Sequence, residues 1–465
     1  MKDNDLDKLN PLEKRAASSL ASIYALRMLG LFMIFPVFSL YGQQLEDNTP
    51  FLIGFAIGAY GLTQAIFQIP FGMLSDKIGR KPVIIMGMLI FALGSIIAAM
   101  SDSIYGVIIG RIIQGSGAVA AAVMALAADL SREEQRLKIM ATIGMSIGFA
   151  FAIAMVAGSI LTDWIGVAGI FWLTAGFAIM GVGVTLFWVP NAPKSFHRET
   201  EPVPEQFKAI LSDHQLLRLD AGILILHMVL TATFIVIPLA LANEQFANLP
   251  AGQHWKIYLP VMVLAMALMI PFIIIAESKR RIKEVFVGAI AVVALAEFGF
   301  WAFNDSLYAL AFFILIFFSA FNILEASLPS LVSKISPSEA KGTAMGVYST
   351  SQFFGAFLGG IIGGKLLGLY GINGVFLFAM FAMLGWLFIA LTMKSPRYLS
   401  SFVVKLNKIT AEDIPKVTAG LTGICGVAEA VVIPEDGAAY LKVELHALDK
   451  AGLREFSIKY SEEDE

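Results

Sequence analysis

The sequence predicts an all-α membrane protein with twelve transmembrane helices in two six-helix halves, plus a small C-terminal α+β, ferredoxin-like domain. Three observations carry this reading. Of the 465 residues, 57% are hydrophobic and only 15% charged, with 36 Phe, 20 Met and a mean hydropathy of +0.76, well beyond a soluble domain. Apolar runs long enough to cross a bilayer recur twelve times, and none alternates with period two as a barrel strand would. Finally, the junction IPFGMLSDKIGRK at 69–81 returns as IPFIIIAESKRRIK at 270–283, a constant offset of 201 positions that echoes Asp76 and Arg80 in Glu277 and Arg281. The chain reads as internally duplicated.

The first six spans run 16–42, 51–75, 83–100, 104–128, 139–161 and 168–190; the second six run 219–242, 255–276, 285–303, 307–332, 342–367 and 372–393. Positive loops are retained in the cytoplasm, so Lys and Arg set the orientation. Loops 42–51, 101–104, 162–168 and 304–306 carry neither residue, and the other two loops on that side hold only Lys256 and Lys365. The alternate loops carry Lys77, Arg80, Lys81, Arg132, Arg136, Lys138, Lys194, Arg198, Lys279, Arg280, Arg281, Lys283, Lys334 and Lys341. Both termini are therefore expected in the cytoplasm of a multi-pass inner-membrane protein. The first apolar run is long and lacks a small-residue cleavage site, as a retained span does. The single cysteine, Cys425, excludes an intrachain disulfide or a CxxC site.

The expected organisation is an N-terminal half at 1–190, a cytoplasmic linker at 191–218, a C-terminal half at 219–395 and a soluble cytosolic domain at 400–465. The linker is charged and Pro-containing, with an amphipathic stretch expected at 207–217 on the inner surface. In the tail, FVVKL and YLKVELH alternate with period two, and residues 411–422 place Ile414, Val417 and Leu421 on one helical face. The predicted order is strand, helix, strand (427–433), strand (439–446), with 453–460 open between helix and strand.

The loop after the second span reads G-x-L-x-D-x-x-G-R-K, as Gly72, Leu74, Asp76, Gly79, Arg80 and Lys81. Glycines permit close approach or a turn, and an Asp and an Arg at a partly desolvated membrane surface attract strongly. The cluster reads as a conformational latch. Positive-inside topology explains Lys77 and Lys81 but does not require Gly72, Asp76 and Gly79 at this spacing. In the fourth span, R-x-x-Q-G-x-G-A stands at Arg111, Gln114, Gly115, Gly117 and Ala118. These strings resemble motifs A and B of the major facilitator superfamily, the second in its drug-proton antiporter branch. LRMLG at 26–30, GTAMGVYSTSQF at 342–353 and the tail resemble a member of that branch with a cytosolic C-terminal domain. The resemblance implies that Arg80 pairs with Asp129 at the end of the fourth span. It also implies that Asp76 faces the N-terminal dipole of the eleventh helix, near Gly342, so that the latch crosses between halves and favours an outward-open state. Motif C departs from the pattern: where G-x-x-x-G-P-x-x-G is expected, the chain has Ala154, Gly158, Ser159 and Thr162.

Ionisable residues deep within spans cost at least ~2.5 to 3.5 kcal/mol each on insertion scales and so mark cavities or buried pairs. Here they are Arg27, Arg111, His227, Glu297 and Glu325, with Asp129 and Asp220 nearer helix ends. Arg27 in the first span, and Glu325 beside Asn322 in the tenth, are candidates for a substrate and proton cavity, against a structural interhelical pair. His227 is a candidate proton carrier, with a hydrogen-bonded core histidine as the equal alternative. Glu297, on the ninth span, has the weaker claim. Glycine pairs at Gly144 and Gly148, and the cluster Gly355, Gly359, Gly360, Gly363 and Gly364, predict close helix contacts in the fifth and eleventh spans. The string at 359–365 mimics a P-loop spacing, but Leu366 replaces the Ser or Thr and the run lies in an apolar helix.

The reading that follows is a secondary transporter without catalytic residues, metal or cofactor, working by alternating access as a monomer. Proton-coupled efflux of small amphipathic or cationic compounds is favoured, with a proton-linked symporter or facilitator as the alternative. A membrane sensor signalling through its tail is the remote reading. The tail carries seven Lys and Arg against twelve Asp and Glu, which disfavours nucleic acid as a partner.

Overall fold

The computed structural model describes residues 9–191, 204–244, 247–337, 340–393, 400–406, 413–433, 438–444 and 447–459. Lys194 and Arg198 of the linker, and the tail positions 411, 446 and 460, lie outside them. Two compact units emerge, 1–394 and 395–465.

In the first unit α1 (Pro11–Phe32) is followed by the short α2 (Phe38–Gly42), then α3 (Pro50–Ile78), α4 (Arg80–Ala99), α5 (Ile104–Ser116), α6 (Ala120–Asp129) and α7 (Glu133–Phe187). After α8 (Pro204–Ser212) come α9 (His214–Ala242), α10 (Trp255–Ser278), α11 (Ile282–Ala302), α12 (Leu307–Ile335) and α13 (Lys341–Leu391). Among the described residues nine helical stretches are long and apolar enough to cross a membrane. Two of these, in α7 and α13, are each a pair of helices joined at a glycine, Gly166 or Gly371, with φ of 67°. That left-handed backbone is one only glycine adopts at no steric cost, and it ends one span and starts the next. With α1 the count is twelve, six in each half.

Three details differ from the sequence reading. The first predicted span, 16–42, is broken at Met33–Val37 between α1 and α2. The fourth span is interrupted: α5 and α6 meet at Gly117–Val119, where Gly117 abuts the backbone of Gly87 closely enough that a Cβ would lie 2.2 Å from its carbonyl oxygen. The amphipathic stretch expected at 207–217 within the linker breaks at Asp213, whose carboxylate caps α9 by accepting from Gln215 N at 2.7 Å and Leu216 N at 3.3 Å.

Helix ends on the Lys- and Arg-rich side are tied together within each half. Asn10 and Glu13 form a capping box at the start of α1, and Glu13 also accepts from Arg132 Nε and Nη2 at 2.9 Å each. Arg15 donates to the carbonyls of Phe187 and Trp188, and Arg218 repeats the device by donating to Thr392 O. Orphan carbonyls at the ends of the sixth and twelfth spans thus find partners.

The second unit is a three-stranded antiparallel sheet in the order β1 (Ser400–Lys405), β3 (Ala438–Val443), β2 (Val427–Ile433). One face of the sheet, through Val404, Val432, Ala439, Leu441 and Val443, packs with Val417 and Leu421 of α14 (Ile414–Thr422) and Leu453 of α15 (Lys450–Lys459). The segment left open in the sequence is therefore helical through Lys459.

Arg132 holds the Glu13 carboxyl well below its ordinary value, at about 2, by hydrogen bonding that outweighs burial. A depressed folded-state value stabilises above the ordinary carboxylate value and loses that contribution as pH falls toward about 2. Glu13→Gln is expected to lower the melting temperature at pH 7 by ~2 °C or more. The gap to the unmodified protein should shrink as pH drops below the ordinary carboxylate value, and a gap that does not depend on pH would contradict this account.

Candidate functional site

Three clusters contain most of the sequence-predicted residues. The first sits at the basic end of the N-terminal half. Gly79, at φ 99°, breaks the chain between α3 and α4 and lets Arg80 open the next helix. Arg80 is 9% exposed; its Nη1 donates to Ser75 Oγ at 2.8 Å and to Asp76, and its Nε donates to Asp129 Oδ2 at 3.2 Å. Lys81 instead caps the end of the sixth span, donating to Val189 O at 2.7 Å and Asn191 Oδ1 at 2.6 Å. Gly72 gives room to Ala121 of the same half. The Asp76 carboxylate is held by Arg80 and, among the described residues, makes no bond to the start of α13, so the expected inter-half contact is not formed here.

The reason lies in where the halves touch. Gly54, Gly58 and Gly61 of α3 press against Gly360, Gly364, Phe357 and Phe353 of α13 at near-backbone distance. Phe35 meets Phe234 at 6.1 Å, and a Cβ on Gly252 would collide with Asp163. All of these lie toward the end opposite the basic loops. At the basic end Arg80–Asp129, Glu13–Arg132 and Glu277–Lys334 each join elements of one half. Among the described residues nothing stands within 4 Å of a Cβ placed on Gly144, Gly148 or Gly346. The eleventh span makes the close contacts its glycines predict, with Gly355 and Gly359 also abutting the backbone of α9. The fifth-span pair Gly144 and Gly148 does not.

The second cluster fills the N-terminal half. Arg111 Nη1 donates to Gln114 Oε1 at 2.8 Å, and Gln114 passes the chain to Ser95 Oγ at 2.7 Å. Gly115 has no room for a side chain, because a Cβ would lie 2.1 Å from Thr63 Oγ1. Arg27, 1% exposed, donates through Nη2 to Tyr60 OH, Gln64 Oε1 and Gly117 O. In this conformation its bonds are those of the interhelical alternative, joining α1 to α3 and to the motif B turn.

The third cluster lies in the C-terminal half. Gln352 Nε2 donates to Glu325 Oε1 at 3.1 Å and lies 2.9 Å from His227 Nε2, while His227 stands 3.9 Å from Glu325 Oε2. Three helices, α9, α12 and α13, supply one residue each. Phe321, one turn before Glu325, touches the His227 ring at 6.1 Å and Phe151 of the other half at 6.4 Å. That contact puts the cluster beside the seam. The Glu325 side chain is 37% exposed, although its Oε2 atom is covered. Asn322 makes no side-chain hydrogen bond to the described residues. Glu297 is separate and fully buried, accepting from Thr233 Oγ1 at 2.7 Å. Sequence reasoning missed Gln352, Tyr60 and Gln64; a lone amide in an apolar span was the available signal. It also gave no role to Tyr348, a buried neighbour of Glu325 and Asp220.

Comparison with known proteins agrees with this architecture. The family model of the Major Facilitator Superfamily matches residues 20–359 and 221–424. The chain is 47% identical to the "Inner membrane transport protein YajR" of Escherichia coli (strain K12) over 439 residues, 94% of this chain and 96% of that protein. It is 24% identical to the "Multidrug resistance protein MdtH" of Proteus mirabilis (strain HI4320) over 346 residues, 72% of this chain and 83% of the other. Among solved structures, a point mutant of the nucleoside transporter NupG superposes with a TM-score of 0.64 at 16% identity, over 81% of this chain and 99% of that one. The protein is a multi-pass membrane transporter, and the chain belongs to the major facilitator superfamily.

Proposed function

We propose that this chain is a proton-coupled exporter of small amphipathic or cationic compounds in the inner membrane, with its basic loops and both termini in the cytoplasm. In this reading residues 1–190 and 219–395 are the rocking halves, 191–218 the cytoplasmic connection and 400–465 a cytosolic domain. The observation that carries it is the His227–Gln352–Glu325 cluster, a carboxylate and an imidazole bridged by one amide beside the seam. A carboxylate there receives either a cationic substrate or a proton but not both, and that competition is what couples antiport. Glu325 takes the proton from outside, releases the substrate, then gives the proton up inside. The 24% likeness to a protein named for multidrug resistance supports the substrate class. With the basic end inward, the seam closed at the opposite end describes an inward-open state. Asp76, Arg80 and Asp129 are then a latch at rest, ready to engage α13 when the cytoplasmic ends close.

A second reading, proton-linked symport or facilitation, rests on Ala154, Ser159 and Thr162 standing where motif C is expected. Counterflow in proteoliposomes with an imposed pH gradient separates them: antiport drives substrate against the inward proton flux, symport with it.

Glu325→Gln, a permanent mimic of the protonated carboxyl, is expected to abolish proton-driven accumulation while sparing substrate exchange. Normal coupled flux by a pH dye would remove Glu325 and shift the role to His227. Asp76→Asn and Arg80→Ala are expected to cut transport roughly tenfold or more, as loss of over ~1.4 kcal/mol of state bias does, without loss of membrane insertion. Full activity in both variants would remove the latch.

A further inference from the structure

The interior of the N-terminal half holds two guanidinium groups whose hydrogen bonds all end on neutral acceptors. Arg27 and Arg111 are each 1% exposed. Arg27 bonds to Tyr60, Gln64 and Gly117, and Arg111 to Gln114 and main-chain oxygens of α3. Tyr60 is held from both sides, its hydroxyl accepting from Arg27 and its ring 5.0 Å from the Arg111 guanidinium carbon. Such cation–π contacts soften a charge without neutralising it. Moreover, Arg27 Nε and Nη1 have no hydrogen-bond partner among the described residues, and an unpaired charged donor in a dry interior is costly to keep.

The opposite imbalance stands across the seam. Glu325 Oε2 and Asp220 Oδ2 are buried without a hydrogen-bond partner among the described residues of the C-terminal half. A short path joins the two sides. Arg27 bonds Tyr60, the Tyr60 ring meets Phe353 of α13 at 6.3 Å, and Phe353 follows Gln352, the donor to Glu325. Because Tyr60 and Phe353 belong to different halves, any rocking of the halves changes the cover over Arg27.

Resting on the transport reading above, we propose that the transported ligand is zwitterionic, its cationic centre received by Glu325 and a carboxylate by the unpartnered nitrogens of Arg27. The two halves then each contribute one pole of the recognition. A purely cationic compound satisfies only the C-terminal pole and leaves Arg27 open, so the acid-bearing ligand binds tighter by about one charge-assisted hydrogen bond.

Thermal-shift titration of the purified full-length protein tests this with matched triads on one ring system: tryptamine, indole-3-propionate and tryptophan, then phenethylamine, hydrocinnamate and phenylalanine. The expected result is that the zwitterion of a triad half-saturates at a roughly tenfold lower concentration than its amine. Arg27→Gln should erase that gap, and Arg27→Lys should retain part of it. Amines that match the zwitterions in the unmodified protein, or no response to any acid-bearing probe, overturn the inference. That comparison needs no variant, so a folding defect in Arg27→Gln does not obscure it. Tryptamine counterflow in proteoliposomes distinguishes the two levels. Amine flux without a zwitterion preference leaves the transport reading standing and removes only the zwitterion, whereas no flux with any probe removes both.

Discussion

The two halves are joined by a backbone-to-backbone approach of α3 and α13, in which Gly54, Gly58 and Gly61 lie against Gly360, Gly364 and the main chain of Phe357 and Phe353. In a bilayer no hydrophobic force pulls helices together, because lipid is as apolar as leucine, so association depends on close packing at small residues. A methyl group at almost any of these positions would meet backbone at under 3 Å. The glycine seam therefore fixes which end of the transporter is shut, and everything else follows from it. Among the described residues the ion pairs of the basic ends, the Arg80 cluster included, each stay within one half, and the Glu325 side chain keeps partial exposure beside the seam.

Charge is distributed to match this geometry. At the basic end each ion pair joins elements of one half. Arg80 gathers Asp76, Ser75 and Asp129, while Lys334 takes Glu277 at 2.8 Å in the repeated position of the other half. The pairing polarity is reversed between the repeats, acid and base having changed sides, but the mechanical result is the same. In the interior the charges are few, and several of their polar atoms lack partners among the described residues. Such groups persist in apolar surroundings when a ligand or a proton completes them in part of the cycle.

Much of this was legible in the sequence, for physical reasons. The bilayer demands long apolar helices, so composition and run length returned the twelve spans, and the 201-residue offset returned the duplication. Arg80 with Asp129 was readable only through the resemblance of the loop to motif A, since nothing in the spacing of the two residues, 49 positions apart, pairs them. Conformation was not readable, since the same residues serve both states and only coordinates show that Asp76 has no described partner on α13. Nor was the role of Gly144 and Gly148, because small-residue spacing allows close packing without requiring it. Gln352 was hidden for a different reason: an amide carries no charge to flag it, and its importance lies in standing between His227 and Glu325, which are distant in sequence.

The central claim is that the halves rock as rigid bodies about the seam, one end closing as the other opens. Double electron–electron resonance in proteoliposomes, with Cys425 replaced, tests it using spin labels at the exposed pair Lys77 and Lys279 on the basic side and Asp102 and Asp305 on the other. Lowering the pH on the side opposite the basic loops should shorten the first distance while lengthening the second. Two distances that move together, or neither moving across the pH range that drives transport, would contradict the account.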